Sequence, residues 1–402
     1  MGSLSQKIRK LCISEGLLLH LINKLDNLIG ILARKIAYRK GEIVRNKLFV
    51  MTYDDTFSCN PKYIVEELLR RKTPIDIVWT IPENDNVDIS SFPMGIRLVR
   101  RKSYEMFEEM GSAHIWIDNA LNCVWYNMPK KKGQVYFNTW HGSMGIKRLS
   151  GNASWLKRAD RCNHLTDYCI TNSLFEEKVF RSTFWRDVPF LKFGHARNDI
   201  LFNEEDRISV RRAIITELGI TDVYTKLFLY APTFRDDGDM SWFDVDFDRL
   251  KACLEVRFGG NWTILIRMHY KNRGAITGRL PFSKWLIDAS AYSDMQELMA
   301  AADSGMTDYS SWAYDYILTK RPLFIYAPDV NKYDQERGFY YPLETTPFPV
   351  SYSGEELLES IVSFDEADYL DKVSIFLENK GCYEDGHACK RIADFIEELT
   401  VQ

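Results

Sequence analysis

Short runs of β-branched and aromatic residues alternate with helix-like stretches along this 402-residue chain, and this alternation restricts the fold more than any other feature. The runs form two series: 48–53, 75–81, 115–118, 135–140, 169–173 and 191–194, then 227–231, 262–268, 285–288 and 323–326. Strands that alternate with helices form parallel sheets covered by helices. A polar stretch at 203–218 separates the two series. We therefore predict two Rossmann-like α/β domains that face each other across a cleft.

The predicted organisation has four segments, and the length of the chain exceeds what one domain usually holds. Residues 1–45 form an amphipathic helical segment. Residues 46–204 form the first α/β domain and residues 205–385 the second. Residues 386–402 form a closing helix that can cross back to the first domain.

The first 45 residues combine basic and apolar side chains at helical spacing. The basic ones are Lys7, Arg9, Lys10, Lys24, Arg34, Lys35, Arg39 and Lys40. Such a helix can lie in the headgroup region of an anionic membrane, with its cations near the lipid phosphates. Alternatively, it packs on the protein's own surface. We favour the membrane, which predicts a peripheral protein at the cytoplasmic face of the cell membrane.

Charge, cysteine usage and hydropathy argue against several classes of protein. Fifty-two Lys and Arg against 56 Asp and Glu give a net charge of −4, so no global charge favours nucleic-acid binding. The eight cysteines include no CxxC pair, which fits a reducing cytoplasm. No apolar run reaches the roughly 20 residues that span a bilayer, and the N-terminus lacks a signal-peptide pattern. We expect a protein that is neither secreted nor transmembrane, and we make no prediction of its oligomeric state.

Polar residues that follow strands are the first site candidates, because ligands of open parallel sheets collect at the carboxyl ends of the strands. The run at 135–140 is followed by His141, Gly142 and Ser143, and Lys147 comes soon after. A histidine at this point, beside a glycine that lets a ligand approach the backbone, suits a general base. A histidine after a strand can also be purely structural.

The second series repeats this arrangement, since His269 follows the run at 262–268. His141 and His269 would then face the cleft from opposite walls. One can take a proton from an acceptor hydroxyl while the other neutralises phosphate charge. The alternative is a pair of unrelated, hydrogen-bonded histidines.

A hydroxyl-rich segment contains Thr307, Asp308, Ser310 and Ser311 and leads from a short strand into a predicted helix at 312–318. Backbone N–H groups at a helix start attract anions, and serine hydroxyls add donors to phosphate oxygens. A helix cap would explain one such residue but explains the cluster less well. The segment therefore predicts a phosphate-binding site.

Two other strands are followed by weaker candidates. Thr233 and Arg235 follow the run at 227–231, and Arg235 can pair with phosphate through two hydrogen bonds. Arg197 and Asp199 follow the run at 191–194. Both segments can instead be turns with ordinary surface charges.

The sequence lacks the signatures of several enzyme classes. It contains no GxxxxGK(S/T), no GxGxxG after the first strand, no HExxH and no GxSxG, which are typical of P-loop ATPases, dinucleotide enzymes, zincins and serine hydrolases. It also lacks a clustered His and Cys set or a convincing Asp-x-Asp pair. We therefore expect no cofactor and no divalent metal.

Taken in order, the motifs resemble those of the CDP-glycerol glycerophosphotransferase family, which comprises the teichoic acid primases and polymerases. The resemblance extends over roughly residues 115–345. It rests on NTWHG at 138–142, GHARND at 194–199, YAPTFR at 230–235, TDYSS at 307–311 with Asp315, and RGFY at 337–340.

This resemblance implies a GT-B-like fold with an acceptor-side first domain and a CDP-donor-binding second domain. It implies transfer of glycerol phosphate from CDP-glycerol, with release of CMP, to a hydroxyl of a lipid-linked saccharide or cell-envelope polymer, in teichoic acid or capsule-like polymer synthesis. His141 would be the base, and His269 would help to hold the donor diphosphate. The implied donor-side set also contains Thr233, Arg235, Thr307, Asp308, Ser310, Ser311 and Asp315. The acceptor-side candidates are Gly142, Ser143, Lys147, Arg197 and Asp199.

The sequence departs from the family pattern in two places, because the segment after Gly142 is one residue longer and Ala196 replaces a proline. These departures leave the acceptor and the alditol open, and CDP-ribitol is the alternative donor. A GT-B nucleotide-sugar glycosyltransferase or epimerase is a second alternative. A membrane-associated scaffold without turnover is a third.

Overall fold

The computed structural model describes residues 16–53, 55–83, 89–126, 128–149, 153–235, 240, 242–269 and 280–401. Its first sheet contains seven parallel strands: β1 Val44–Met51, β2 Asp76–Ile81, β3 Ile96–Arg100, β4 Ala113–Asp118, β5 Val135–Asn138, β6 Tyr168–Ile170 and β7 Phe190–Leu191. The strands lie in the order β3-β2-β1-β4-β5-β6-β7. The chain therefore starts in the middle of the sheet and builds outward in both directions, as in a doubly wound fold.

The second sheet repeats this topology with six parallel strands. They are β8 Lys226–Tyr230, β9 Trp262–Ile266, β10 Leu286–Asp288, β11 Ser304–Thr307, β12 Leu323–Tyr326 and β13 Val350–Ser351. Their order is β10-β9-β8-β11-β12-β13. In both sheets the order reverses beside the first strand, and such a reversal opens a crevice where ligands bind.

Helices cover both faces of each sheet. They are α1 Gly16–Lys40, α2 Cys59–Arg70, α3 Tyr104–Ser112, α4 Asn122–Trp125, α5 Ala153–Leu165, α6 Leu174–Thr183 and α7 Glu204–Glu217, followed by α8 Phe247–Phe258, α9 Met295–Ala301, α10 Ala313–Tyr316, α11 Val330–Arg337, α12 Gly354–Val362, α13 Glu366–Lys380 and α14 Ala388–Val401. This double cover explains why every residue of β4 and β9 is buried, and why both strands are rich in apolar residues.

The helices α1 and α14 both pack on the first domain, although they are far apart in sequence. In α3, a Cβ on Gly111 would lie 2.1 Å from the carbonyl oxygen of Tyr38, so α1 and α3 approach as closely as glycine permits. Ile392, Ala393 and Ile396 of α14 are buried in the core beneath β1 and β4, where α14 contacts α2. Among the described residues, no helix is long and apolar enough to cross a bilayer.

The predicted fold class, two parallel α/β domains, is confirmed. The sequence analysis missed the edge strands β3 and β13, and it extended several strands by one to three residues beyond their ends. The helix predicted at 312–318 is shorter, because α10 is one turn long and a 3-10 turn, Ile317–Thr319, follows it. Residues 1–15 of the predicted amphipathic segment lie outside the described residues.

Candidate functional site

The loop after β5 holds His141 in a strained but well-anchored position. The residue before it, Trp140, has a φ of 52°, in the left-handed region that costs a non-glycine residue about 1–2 kcal/mol. The Trp140 N–H donates to the side-chain oxygen of Asn138 at 2.9 Å. Asn60 donates to the carbonyl oxygens of Thr139 and Trp140 at 2.8 and 3.1 Å. These hydrogen bonds offset the strain and fix the direction in which His141 leaves the sheet.

The imidazole of His141 is oriented by one hydrogen bond and two aromatic rings. Its Nδ1 lies 2.6 Å from the carbonyl oxygen of Asn119, so Nδ1 carries the proton and donates it. The ring stacks on Tyr53 at 4.8 Å between centroids and also contacts Trp140. With Nδ1 protonated, Nε2 of the neutral ring carries a lone pair that can accept a proton.

The surrounding protein atoms lower the pKa of His141, so its ring is neutral at pH 7. Water reaches the ring, yet protein atoms surround it closely, as at the floor of a cleft. Burial lowers the pKa of His141 to about 4, the bond to Asn119 opposes this, and the charges of Arg197 and Lys147 lower the pKa further. The unprotonated form that a general base needs is the form present at neutral pH.

The two residues after His141 are held by the first domain. A Cβ on Gly142 would lie 2.7 Å from Nε1 of Trp140, so glycine is required there by packing. The hydroxyl of Ser143 accepts a hydrogen bond from Asn172 at 3.0 Å. Both acceptor-side candidates therefore lie beside His141.

The next turn of this loop contacts the second domain. A Cβ on Gly145 would lie 3.2 Å from the Cβ of Ser311. Ser310 and Ser311 are partly exposed, and among the described residues neither hydroxyl has a hydrogen-bond partner. Two hydroxyls with free donors thus lie where the loop of His141 meets the second domain.

Thr307 and Asp308 make hydrogen bonds within the protein, and their role as phosphate ligands stays a prediction. The Thr307 hydroxyl donates to the carbonyl oxygen of Ala231 at 2.7 Å in a fully buried position. The Asp308 carboxylate accepts from the backbone N–H groups of Thr233 and Tyr309 and from Arg235. These contacts join the end of β11 to the end of β8.

Arg235 is also committed to protein partners. Its guanidinium makes two hydrogen bonds to Asp329, at 2.7 and 3.0 Å, and one to Asp308 at 2.8 Å. Burial alone would lower the pKa of this group, but Asp308 and Asp329 outweigh burial and raise it. The two-bond contact of Arg235 with phosphate stays a prediction, and in this structure two carboxylates occupy the guanidinium. The Thr233 hydroxyl, in contrast, is buried without a hydrogen-bond partner among the described residues.

Lys147, predicted on the acceptor side, lies in the loop of His141 where this loop meets the second domain. Its backbone pairs with Phe339 of the second domain. Burial lowers the pKa of its ammonium group to about 8; the charge of Asp308 opposes this shift, and Arg337 and Arg235 add to it. A lysine so placed can neutralise a phosphate bound near the serines.

Three further candidates make contacts within the protein, and of these Arg197 and Asp315 are buried while Asp199 is partly exposed. Arg197 and Asp315 were predicted on opposite sides of the site, but they pair with each other at 2.9 Å. Asp199 accepts from the backbone N–H groups of Ala388 and Cys389 and thereby caps α14. All three are engaged by protein partners, and their predicted roles as binding residues stay predictions.

His269 follows β9 as predicted. Its partly exposed ring lies 5.5 Å from the ring of Phe234, the residue that precedes Arg235 in the sequence. The preceding residue, Met268, donates its N–H to Ser290 at 3.0 Å. Residues 270–279, directly after His269, are outside the described residues.

The sequence analysis missed Tyr53 and Asn119, which orient His141. Both follow strands, β1 and β4, so the rule that found His141 would have found them too. It also missed Asn60, which no sequence pattern identifies, because its role is to bind carbonyl groups 79 and 80 residues away. In the part of the chain that the structure describes, no group of three or more His, Cys, Asp or Glu is arranged to hold a metal ion.

Known proteins are similar to this chain in sequence and in fold. The sequence profile described as CDP-Glycerol:Poly(glycerophosphate) glycerophosphotransferase matches residues 35–398. A teichoic acid poly(glycerol phosphate) polymerase of Staphylococcus epidermidis is 31% identical over 361 residues, which are 85% of this chain and 48% of the relative. A polymerase of the same description from Bacillus spizizenii is 29% identical over 85% of this chain and 89% of its own length. This chain thus spans about half the length of the first relative and most of the second.

A solved structure agrees with these relatives. A variant of the wall teichoic acid polymerase TagF, soaked with CDPG, superposes with a TM-score of 0.82 at 28% identity, over 95% of this chain and 97% of the other. The profile match alone covers well over half of the chain. The chain therefore belongs to the CDP-glycerol:poly(glycerophosphate) glycerophosphotransferase family.

Proposed function

We propose that this protein transfers glycerol phosphate from CDP-glycerol to a hydroxyl group of a lipid-linked saccharide or cell-envelope polymer and releases CMP. The observation that carries the proposal is the neutral His141, with Nδ1 fixed by Asn119, in a loop whose Gly145 packs against Ser311. The hydroxyls of Ser310 and Ser311 have no hydrogen-bond partner among the described residues. The family match and the TagF variant soaked with CDPG support the choice of donor.

The reaction needs one base and several groups that neutralise charge. The oxygen of the acceptor hydroxyl attacks the phosphorus that carries glycerol, and the bond from this phosphorus to the oxygen of CMP breaks. Nε2 of His141 takes the hydroxyl proton, and CMP leaves with the electron pair. Phosphoryl-type transfer depends mainly on positioning and charge stabilisation, and a base adds to both.

Donor binding is assigned to the second domain and to one lysine of the first. Ser310 and Ser311 donate to the diphosphate oxygens, and Lys147 supplies a positive charge from across the cleft. His269 adds a donor from the end of β9. Because α10 is only one turn long, its dipole contributes little, and the hydroxyls carry the interaction.

The direct test is the release of CMP from CDP-glycerol in the presence of a lipid-linked acceptor, with CDP-ribitol and UDP-sugars supplied in parallel. We expect CMP from CDP-glycerol. CMP from CDP-ribitol alone would change the donor while keeping the reaction class. Turnover of a UDP-sugar without CMP would favour the nucleotide-sugar glycosyltransferase instead.

The same assay tests the expectation that no divalent metal is required. Serines, histidines and a lysine supply the charge stabilisation in this proposal, so CMP release should continue in EDTA. Loss of activity in EDTA that added magnesium restores would show that an ion takes part of this role.

We also propose that α1 places the cleft at the cytoplasmic face of the cell membrane. Leu28, Leu32 and Ile36 lie one helical turn apart and are 59%, 60% and 52% exposed. Lys35 and Arg39 lie on the same outward side, towards the end of the helix. A row of exposed apolar residues followed by cations suits the headgroup region of an anionic membrane.

Replacing Leu28 and Leu32 by serine should weaken binding to vesicles of phosphatidylglycerol and phosphatidylcholine roughly tenfold, because both side chains would leave the acyl boundary. Co-sedimentation with the vesicles measures this effect. The matched control replaces two exposed apolar residues on other helices, Leu156 and Val256, by serine and should bind as the wild type does. Equal binding of all three proteins would contradict the membrane proposal.

A further inference from the structure

The guanidinium of Arg197 contacts both halves of the candidate site, and it is 2% exposed. Its Nη2 donates to the carbonyl oxygen of Gly142, the residue after His141, at 2.5 Å. The same Nη2 and the Nε donate to Asp315 of the second domain at 2.9 and 3.1 Å. One side chain thus joins the loop of the proposed base to the helix that follows Ser310 and Ser311.

The first domain holds the backbone of Arg197 as firmly as it holds the loop. The Arg197 N–H donates to Asn60 at 3.1 Å, and the amide nitrogen of the same Asn60 donates to the carbonyl oxygens before His141. Asn60 and Arg197 therefore hold the strained loop by hydrogen bonds to carbonyl groups before and after His141 in the sequence. Of these two anchors, Arg197 is the one that also reaches the second domain.

On the second domain, Asp315 is equally constrained. It lies four residues after Ser311 and is 3% exposed. Its other carboxylate oxygen accepts from the side chain of Asn198 at 3.0 Å. The contact between Gly145 and Ser311 leaves little room for movement between the loop and this helix.

A buried ion pair of this kind is weak evidence for stability, because well-packed apolar residues often replace it without loss. Its geometry is better explained by what it connects. We propose that Arg197 and Asp315 are positioning residues that set the distance between His141 and the Ser310–Ser311 hydroxyls. This inference rests on the proposed function, since it assigns the base to one partner and the donor site to the other.

The test compares Arg197→Met, Asp315→Asn and the double variant Arg197→Met with Asp315→Leu. We expect kcat for CMP release to fall about 10- to 100-fold in each, because small displacements of reacting groups have effects of this size. The Kd for CDP-glycerol, measured by calorimetry without acceptor, should change less than threefold. Arg197→Lys should restore part of kcat, because a lysine keeps the charge but cannot contact both partners.

The pH dependence of kcat/KM distinguishes a positioning role of Arg197 and Asp315 from a role in stabilising the fold. His141 is faced by Arg197 and Lys147, and both charges lower its pKa. In Arg197→Met the acid limb of kcat/KM should move to higher pH, because one of these charges is lost. In Asp315→Asn the acid limb of kcat/KM should stay at the pH of the wild type, although kcat falls.

The control is Arg211→Met, which breaks the pair of Arg211 with Asp303 at 2.8 Å inside the second domain. Any effect of this substitution should be a lower midpoint temperature of thermal unfolding, and kcat should stay unchanged. A folded double variant with the kcat of the wild type would overturn the inference. Failure of the double variant to fold would overturn it as well, because the pair would then serve folding. Absence of CMP release by the wild type would instead refute the proposed function.

Discussion

Replacing His141 by alanine should lower kcat for CMP release by about 10²- to 10⁴-fold, the usual contribution of a general base. The loss should appear in kcat, because His141 takes its proton from the acceptor and the donor contacts remain. The matched control is His164→Ala, since the His164 side chain is 73% exposed on α5. A fall of less than tenfold in His141→Ala, with the protein folded, would assign the base to another group.

The pH dependence of kcat/KM tests the same residue without a substitution. His141 must be neutral to act, so activity is present above its pKa and lost as the pH falls towards about 4, well below the ordinary 6.5. Lys147 must be protonated, so activity should also fall as the pH rises through about 8. In Lys147→Arg the alkaline limb should disappear, because arginine keeps its charge. A loss of kcat/KM centred near pH 6.5 would show that burial does not lower the pKa of His141.

Replacing both Ser310 and Ser311 by alanine should lower kcat/KM for CDP-glycerol by about 10²- to 10⁴-fold. Each hydroxyl is assigned one hydrogen bond to a charged oxygen, worth about 1.5–3 kcal/mol, or roughly 10- to 100-fold. Steady-state kinetics and calorimetric binding of CDP-glycerol measure the effect. Unlike Arg197→Met, this variant should bind the donor weakly.

The control for the serine variant is Ser374→Ala, which removes an exposed hydroxyl bonded to the carbonyl oxygen of Leu370 on α13. It should leave both measurements unchanged. Unchanged donor binding in the double serine variant would show that backbone groups, not hydroxyls, hold the diphosphate.

The sequence predicted the sheets well, because their central strands are buried on both faces and read as continuous apolar runs. The edge strand β3 was missed because Ile96, Leu98 and Val99 are interrupted by Arg97, and the sequence pattern resembles a surface segment. The strand β13 has two residues and leaves no periodic signal. The local pattern of apolar residues therefore identifies the central strands of these sheets better than the edge strands.

The candidate site was predicted in part. His141, Ser310 and Ser311 follow strands as predicted, and the loop of His141 packs against Ser311 through Gly145; their roles in binding and catalysis stay predictions. The ion pairs of Arg197 and Arg235 with carboxylates were not predicted, because a charged residue after a strand can face a ligand or a distant opposite charge. Arg197 is 118 residues from Asp315, and only the folded chain shows that they meet.

The return of α14 to the first domain affects the order in which the protein can fold during synthesis. Ile392, Ala393 and Ile396 complete the core that contains β1 and β4, yet the ribosome makes them after the whole second domain. Until then, the nascent first domain exposes an apolar sheet face to solvent and to chaperones. The second domain, which is contiguous in sequence, can fold first, and the older half of the polypeptide becomes native last.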